Sequence, residues 1–239
     1  MKGDYESKFS KFGETMNRIT ALLPMKGHSE RVSNKNMRDF AGKPLYHAVM
    51  NTLLACKNIG KVVINTDSDV IREDALKHFE RVEIIDRPME LRGDFVPMND
   101  IIGYDLSQQD GEFFMQTHST NPLLTPQTLD AAIEYFFANN ARYDSVFSVT
   151  RLQTRLYWKD GKPVNHNPKE LLRTQDLPPV YEENSNFFIF SKDSFKNSGN
   201  KRIGANPAMY EMNKLEAVDI DEPEDFELAE LLYIKRHKG

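Results

Sequence analysis

The segment Ile19–Asn36, ITALLPMKGHSERVSNKN, begins as an apolar run and ends as a polar loop. The first five residues have the composition of a buried strand, as is usual in parallel sheets. Gly27 lets the backbone come close to a ligand, and Ser29 and neighbouring N–H groups can donate hydrogen bonds. The loop also contains three cations, which can offset phosphate charge: Lys26, Arg31 and Lys35. This pattern indicates a polyphosphate-binding loop, with an ordinary solvated loop as the alternative.

Outward from this segment, short β-rich runs alternate with stretches of helical periodicity. The predicted strands are Ile19–Leu23, Lys61–Asn65, Val82–Asp86, Glu112–Gln116 and Ser145–Val149. Between them, PLYHAVMNTLLACKN places apolar residues on one helical face, and TPQTLDAAIEYFFANN opens with Thr125 as a helix cap before Pro126. The alternation predicts an α/β fold with a Rossmann-like, mostly parallel sheet and helices on both faces.

The domain organisation follows from where this alternation stops. Residues 1–16 read as a polar N-terminal extension, and residues 17–239 as a single domain. At about residues 150–200 the pattern gives way to a β-rich inserted arm, with a hairpin around Asp160-Gly161. The last segment, EAVDIDEPEDFELAELLYIKRHKG, predicts one more strand and a final helix.

Composition excludes several classes of function. The chain has 239 residues and a net charge of -5, which disfavours nucleic-acid binding. No apolar run approaches the roughly 20 residues that span a bilayer, and the N-terminus lacks the apolar stretch of a signal peptide. A cytoplasmic protein with no membrane partner is expected. Cys56 is the only cysteine, so an intrachain disulfide is impossible.

The nucleotide signature is not one of the common ones. No G-x-G-x-x-G follows the first strand and no G-x-x-x-x-G-K-[ST] is present, which disfavours a dinucleotide cofactor and a P-loop. Ligands of such sheets bind outside the carboxyl ends of the strands. There, Asp219 and Asp221 at spacing i, i+2 would project to one side and can hold Mg²⁺. Asp221 could instead form a capping box with Glu224, so Asp219 is the better candidate ligand.

Several segments resemble one family, the acylneuraminate cytidylyltransferases, or CMP-sialic acid synthetases. LLPMKGHSERVSNKNMRDFAGKPL resembles its first motif, with Pro24, Ser29, Lys35, Asn36 and the G-K-P-L run matching. The remaining similar segments follow in family order: INTDSDVI, DRPMELRGD, MQTHSTNPLLT, RTQDLPPVYEENSNFFIF and DIDEPEDF.

The resemblance implies condensation of CTP with an acylneuraminate-like α-keto sugar acid, giving a CMP-sugar and pyrophosphate with Mg²⁺ as cofactor. It also implies a homodimer formed through the arm, where Leu156, Tyr157 and Trp158 could supply apolar contacts. The implied catalytic residues are Lys26, Lys35 and Asp219. The implied nucleotide-binding residues are Pro24, Lys26, Gly27, Ser29, Arg31, Lys35, Asn36 and Arg87. The implied sugar-binding residues are Gln116, Arg173, Gln175 and Asn184, and the metal ligands are Asp219 and Asp221.

Three residues depart from the family pattern. Lys26 replaces an arginine and Glu30 replaces a lysine, with Arg31 as the neighbouring cation that could compensate; His118 stands where no histidine is usual. Two other functions stay open. A metal-dependent glycosyltransferase would place its D-x-D motif mid-chain, and a catalytically inactive nucleotide-binding protein would explain Lys26 and Glu30.

Overall fold

The computed structural model describes residues 18–28, 32 and 34–237. The strands in these residues are β1 Ile19–Leu22, β2 Asp39–Phe40, β3 Lys43–Pro44, β4 Ile59–Thr66, β5 Val82–Asp86, β6 Phe113–Thr117, β7 Ser145–Leu152, β8 Val180–Ser191 and β9 Pro207–Glu211. Seven of them form a mixed sheet in the order β5-β4-β1-β6-β8-β7-β9. Strands β5, β4, β1 and β6 are mutually parallel, which confirms the predicted parallel half.

The α-helices of the described residues are α1 Tyr46–Ala55, α2 Asp69–His78, α3 Met98–Ser107, α4 Pro126–Asn139, α5 Lys192–Asn197 and α6 Pro223–His237. They cover both faces of the sheet. Each strand sends alternate side chains to opposite faces, so both faces carry apolar residues that helices can bury. In β4, Val62 and Ile64 join a core with α1, α2 and α4, whereas Val63 joins a core with α3 and α5. The predicted cap is confirmed, since the Thr125 hydroxyl accepts from the backbone of Thr128.

The other half of the sheet is antiparallel around β8, which pairs with both β6 and β7. The edge strand β9 pairs parallel to β7. The strand predicted at the start of EAVDIDEPEDFELAELLYIKRHKG is therefore wrong, and the last strand lies earlier in the chain, at Pro207–Glu211. Residues 217–220 instead cross the carboxyl edge of the sheet: Ile220 N–H donates to Thr120 O at 2.9 Å in the loop after β6, and the side chain of Asn186 in β8 donates to Ala217 O at 3.3 Å.

The arm contains the predicted hairpin. Trp158 N–H donates to Lys162 O at 2.8 Å across the Asp160-Gly161 turn, where Gly161 has φ of 82°. A positive φ is accessible to glycine at little cost, so this turn needs the glycine. The remainder of residues 153–179 has little regular structure. The predicted N-terminal extension, residues 1–16, lies outside the described residues.

A third apolar cluster brings the final helix to the start of the chain. Phe226 and Ala229 of α6 pack with Phe40 and Leu45, and Ile220 is fully buried among them. This packing holds the segment before α6 beside the loop that follows β1. None of the helices in the described ranges has both the length and the apolar content that crossing a bilayer requires.

Candidate active site

A cleft of about 350 Å³ opens at the carboxyl ends of β1 and β6. It is formed by residues from five separate parts of the chain, which the sheet and α6 bring together. Its lining residues are Pro24, Met25, Lys26, Lys35, Asn36, His118, Ser119, Thr120, Ser185, Arg202, Asp219 and Asp221. This is the edge at which ligands bind in open α/β sheets.

The backbone after β1 is fixed by its neighbour β4. Met25 N–H donates to Asn65 O at 2.9 Å, and Gly27 N–H donates to Asp67 Oδ1 at 2.7 Å. A Cβ at Gly27 would lie only 2.9 Å from Ser68 Cβ, so the two loops approach more closely than an alanine allows. The Gly27 N–H is thus committed to Asp67, and the phosphate-binding role predicted for that residue stays a prediction.

Two lysines bring positive charge to the cleft. Lys26 forms an ion pair with Asp94, the last residue of the DRPMELRGD segment. Lys35 lies deeper, with only 11% of its side chain exposed, and its Nζ donates to Ile220 O at 2.6 Å. The same Nζ is 3.8 Å from Asp221 Oδ1. Ser29, Glu30 and Arg31, also singled out in the sequence, lie outside the described residues.

Asn36 joins two sides of the cleft. Its Nδ2 donates to Lys26 O at 3.0 Å, and its Oδ1 accepts from the Ser119 hydroxyl at 2.6 Å. The side chain is buried, so these bonds set the position of Lys26 relative to the loop after β6. Asn36 therefore organises the cleft, and its predicted nucleotide contact stays a prediction.

The acidic pair also lines this cleft. Asp219 and Asp221 flank the buried Ile220, which turns both carboxylates to the opposite side. Burial raises the pKa of Asp219, as does the charge of Asp221, whereas a hydrogen bond from Thr120 and the charge of Lys35 lower it. One Asp219 oxygen, Oδ1, is buried without a hydrogen-bond partner among the residues that the structure describes. An under-satisfied carboxylate beside a second one fits a hard divalent cation, which takes oxygen ligands.

The capping box considered for Asp221 is replaced by a different cap. Helix α6 begins at Pro223, and the carboxylate of Asp225 accepts from Asp221 N–H at 3.1 Å and Glu222 N–H at 2.8 Å. Asp225 therefore satisfies the backbone ahead of the helix, and the Glu224 partner is not needed. The Asp221 side chain is half exposed on the cleft side.

Arg87 does not line the cleft but lies buried beneath it. Its Nε donates to Asn65 Oδ1 at 2.7 Å and its Nη2 to Met25 O at 3.2 Å. Asn65 Nδ2 in turn donates to Asp105 Oδ1 at 2.5 Å. Burial raises the pKa of Asp105 to about 7, although Asn65 and Arg87 oppose this effect. The network supports the backbone after β1, and base recognition by Arg87 stays a prediction.

A third cation, Arg202, lies at the far end of the cleft. Arg202 Nη1 donates to Gln116 Oε1 at 2.6 Å, and its guanidinium carbon lies 3.9 Å from the centre of the Phe188 ring. Gln116 is fully buried, so it orients Arg202 rather than opening to the cleft itself. Burial lowers the pKa of His118 to about 4, with Arg202 and Lys35 adding to the effect, and the imidazole is neutral at physiological pH.

The other predicted sugar-binding residues are not brought to the cleft within this chain. Arg173 pairs with Asp176, with Nε 2.7 Å from Oδ2, and the exposed Gln175 receives a bond from Gln153 on its carbonyl. Asn184 donates to Thr150 Oγ1 at 2.9 Å. Their sugar contacts stay predictions.

Sequence reasoning missed five lining residues: Met25, Ser119, Thr120, Ser185 and Arg202. Ser119 and Thr120 directly follow a predicted strand, which is a usable signal. Arg202 lies in a loop without a motif, and its contacts, Gln116 of β6 and Phe188 of β8, are distant from it in sequence.

The sheet, the cationic loop and the acidic pair at its carboxyl edge are those of a nucleotidyltransferase. A sequence model described as cytidylyltransferase matches residues 20–237, and the chain belongs to the cytidylyltransferase family.

Individual relatives agree with this assignment. A pseudaminic acid cytidylyltransferase of Campylobacter jejuni is 24% identical over 229 residues, which is 91% of this chain and 97% of the relative. N-acylneuraminate cytidylyltransferase A of Danio rerio is 29% identical over 221 residues; the match covers 89% of this chain but only 50% of that protein. A solved CMP:2-keto-3-deoxy-manno-octonic acid synthetase complexed with CTP shares the fold, with a TM-score of 0.68, 11% identity and coverage of 92% of this chain and 99% of that one.

Proposed function

We propose that this enzyme condenses CTP with a nonulosonic acid, an α-keto sugar acid, to give a CMP-sugar and pyrophosphate. The family and the named substrates of the relatives support this reaction. One structural observation supports it most directly: Lys35, from the loop after β1, meets Asp219 and Asp221 in a single cleft. A triphosphate with its metal needs both signs of charge at one place.

The reaction is a substitution at the α-phosphorus of CTP. The anomeric hydroxyl oxygen of the sugar acid bonds to phosphorus, the bond from phosphorus to the oxygen bridging to the β-phosphate breaks, and the hydroxyl proton passes to solvent. Lys26 and Lys35 would hold the triphosphate and stabilise charge on the leaving pyrophosphate. Mg²⁺, held by Asp219 and Asp221, would polarise the phosphate oxygens when bound.

We assign the acceptor carboxylate to Arg202. A guanidinium binds a carboxylate through two parallel hydrogen bonds, and Arg202 lines the cleft whereas Arg173 is paired with Asp176. The neutral His118 beside Gln116 can exchange hydrogen bonds with sugar hydroxyls without adding charge. The acceptor is thus placed at the β6 side of the cleft and the triphosphate at the β1 side.

The experiment is a pyrophosphate-release assay that crosses CTP, UTP, ATP and GTP with pseudaminic acid, N-acetylneuraminic acid and an eight-carbon keto-sugar acid. We expect release with CTP and a nine-carbon acid, and none when Mg²⁺ is chelated. Transfer from a preformed CMP-sugar without pyrophosphate release would indicate a glycosyltransferase instead. Nucleotide binding without turnover of any acid would indicate an inactive binding protein.

We also propose that the arm forms a homodimer. Its exposed apolar side chains include Tyr157, Trp158 and Leu171, the last 94% exposed. Large apolar groups of this kind usually lie in interfaces. Light scattering on the whole chain is expected to give the mass of a dimer, and Trp158→Glu is expected to shift it towards the monomer. A wild-type monomer at micromolar concentration would rule the proposal out.

A further inference from the structure

Two histidines and an aspartate meet between α1 and α2, outside the candidate active site. His47 lies at the start of α1, and Asp74 and His78 lie one turn apart on α2. His47 Nε2 is 2.6 Å from Asp74 Oδ2, and His78 Nδ1 is 3.1 Å from Asp74 Oδ1. One ligand atom from each residue lies within 4.8 Å of the others, and the described residues contain no second group of three that does so.

The positions of these side chains are fixed by their surroundings. The His47 ring is buried and packs edge-to-face against Phe79 at 4.7 Å between ring centroids. The Tyr46 hydroxyl donates to Asp74 Oδ2. A partner of this kind orients a carboxylate ligand and leaves its other oxygen, Oδ1, to face His78.

The cluster is reachable from solvent. It lies in a cleft of about 280 Å³ whose lining is Gly42, Lys43, Pro44, His47, Asn51, Asp74, His78 and Phe79. The His78 side chain is 42% exposed, and Asn51 stands beside the histidines with an amide oxygen to offer. An ion entering here would keep a position for water or Asn51.

We propose that His47, Asp74 and His78 bind a divalent transition-metal ion of the zinc type. Two imidazoles with one carboxylate suit zinc or cobalt, whereas magnesium and calcium prefer oxygen ligands. Ligand atoms about 2.0–2.1 Å from a tetrahedral ion stand about 3.3 Å from each other. The 3.1 Å between Asp74 Oδ1 and His78 Nδ1 is already close to that separation. His47 Nε2 would turn from Asp74 to the ion, and His78 Nδ1 would exchange its bond to the Asp74 carbonyl for it.

Binding would tie α1 to α2 and favour the folded state, because the unfolded chain does not bring the ligands together. The test uses the whole chain without a histidine tag, stripped with a chelator and titrated with Co²⁺ and then Zn²⁺. The double variant Asp219→Asn, Asp221→Asn serves as background, since it removes the other candidate metal ligands. We expect one equivalent of Co²⁺ with the visible absorption of a low-symmetry nitrogen-containing site, its displacement by Zn²⁺, and a higher Tm with Zn²⁺.

His78→Ala is the decisive variant, because this residue is partly exposed and its loss leaves the core intact. We expect at least about tenfold weaker Co²⁺ binding in His78→Ala and in His47→Ala, and a smaller loss in Tyr46→Phe. His237→Ala, which removes an exposed histidine on α6, is the matched control and should bind as the background does. Absence of saturable Co²⁺ binding, or Co²⁺ binding that is unchanged in His78→Ala, would overturn the proposal. Asp74 would then serve only as a hydrogen-bond acceptor for its neighbours.

Discussion

Lys35 Nζ donates a 2.6 Å hydrogen bond to the carbonyl oxygen of Ile220, the residue between the two aspartates of the cleft. This contact joins the loop after β1 to the segment before α6. It places an ammonium group beside the acidic pair, where a lysine can contact phosphate oxygens and the aspartates can hold their metal. The spatial relation of the two charge types is therefore set by protein contacts before any ligand arrives.

Removing this ammonium should weaken catalysis strongly. For Lys35→Ala we expect a loss of at least about 100-fold in kcat/KM for CTP, because a charge-assisted contact to the triphosphate disappears. Lys26→Ala should also weaken CTP binding, but less, since Lys26 is more exposed and paired with Asp94. Lys61→Ala, which removes a surface lysine paired with Glu83, is the control and should be near wild type. Unchanged CTP affinity in both cleft variants would contradict the assignment.

Asp219→Asn should abolish the Mg²⁺ dependence. The substitution keeps the shape of the side chain but removes its negative charge and replaces one carboxylate oxygen with an NH2 group, which does not bind magnesium. We expect kcat to fall by at least about 100-fold, with a folded circular dichroism spectrum and little change in Tm. Turnover at the wild-type Mg²⁺ optimum would exclude Asp219 as a ligand.

Gly27→Ala should disturb the loop through a steric clash. The new Cβ would stand 2.9 Å from Ser68 Cβ, so one loop has to shift, at a cost of about 1–3 kcal/mol in the free energy of unfolding. Gly103→Ala is the matched control, because its Cβ meets the Phe195 ring at an ordinary 3.7 Å and alanine favours the α3 helix. Denaturant unfolding of the two variants measures the difference. Equal free energies of unfolding in the two variants would show that the loop shifts at little cost, and would contradict the prediction.

Arg202→Met should weaken binding of the sugar acid and leave binding of CTP nearly unchanged. Loss of the guanidinium removes the proposed carboxylate contact, so KM for the sugar acid should rise at least about tenfold while KM for CTP changes little. Arg173→Met on the arm tests the alternative clamp by the same steady-state measurement. A selective effect of Arg173→Met, with none for Arg202→Met, would transfer the carboxylate contact to the arm.

Asp105 should give the stability a measurable pH dependence. Burial raises its folded-state pKa from 3.8 to about 7, so between these values the folded chain binds more protons than the unfolded chain. Its contribution therefore lowers the free energy of unfolding as pH rises from about 4 to about 7, by at most about 1.4 kcal/mol per pH unit.

The comparison for this prediction is Asp105→Asn, which keeps an acceptor for Asn65 and does not titrate. Chemical denaturation across this pH range should give a difference between the two proteins that shifts in favour of Asp105→Asn as pH rises. Two parallel stability profiles would show that Asp105 does not titrate in this range.

The order of helices and parallel strands is predictable because each element carries a local signal. β1 and β4 are apolar runs buried by helices on both faces, and Thr125 with Pro126 marks the start of α4. β9 is different, since Pro207–Glu211 lies at the sheet edge with a mixed burial pattern. Residues 216–220 have a strand-like pattern, yet they pair with no strand: Ile220 N–H donates to Thr120 O in a loop, and Ala217 O accepts from the side chain of Asn186 in β8. Which of the two segments becomes the edge strand depends on its pairing partner in the sheet, and sequence patterns do not specify that partner.

The acidic pair and the lysine are predictable from spacing and from the family motif. The burial of Arg87 and the place of Arg202 depend on contacts with residues distant in sequence, with Asn65 and Gln116 respectively. Such contacts form only when the sheet has assembled, so no local sequence pattern predicts them. The same holds for the pKa values of Asp105 and His118, which are set mainly by burial.

The bond between Lys35 and Ile220 spans 185 positions of the chain. A ribosome must therefore translate almost the whole domain before both charge types can coexist at one place. A nascent chain would therefore contain Lys26 and Lys35 long before Asp219 and Asp221, and the complete cleft could form only after the final helix, α6, had packed against Phe40 and Leu45.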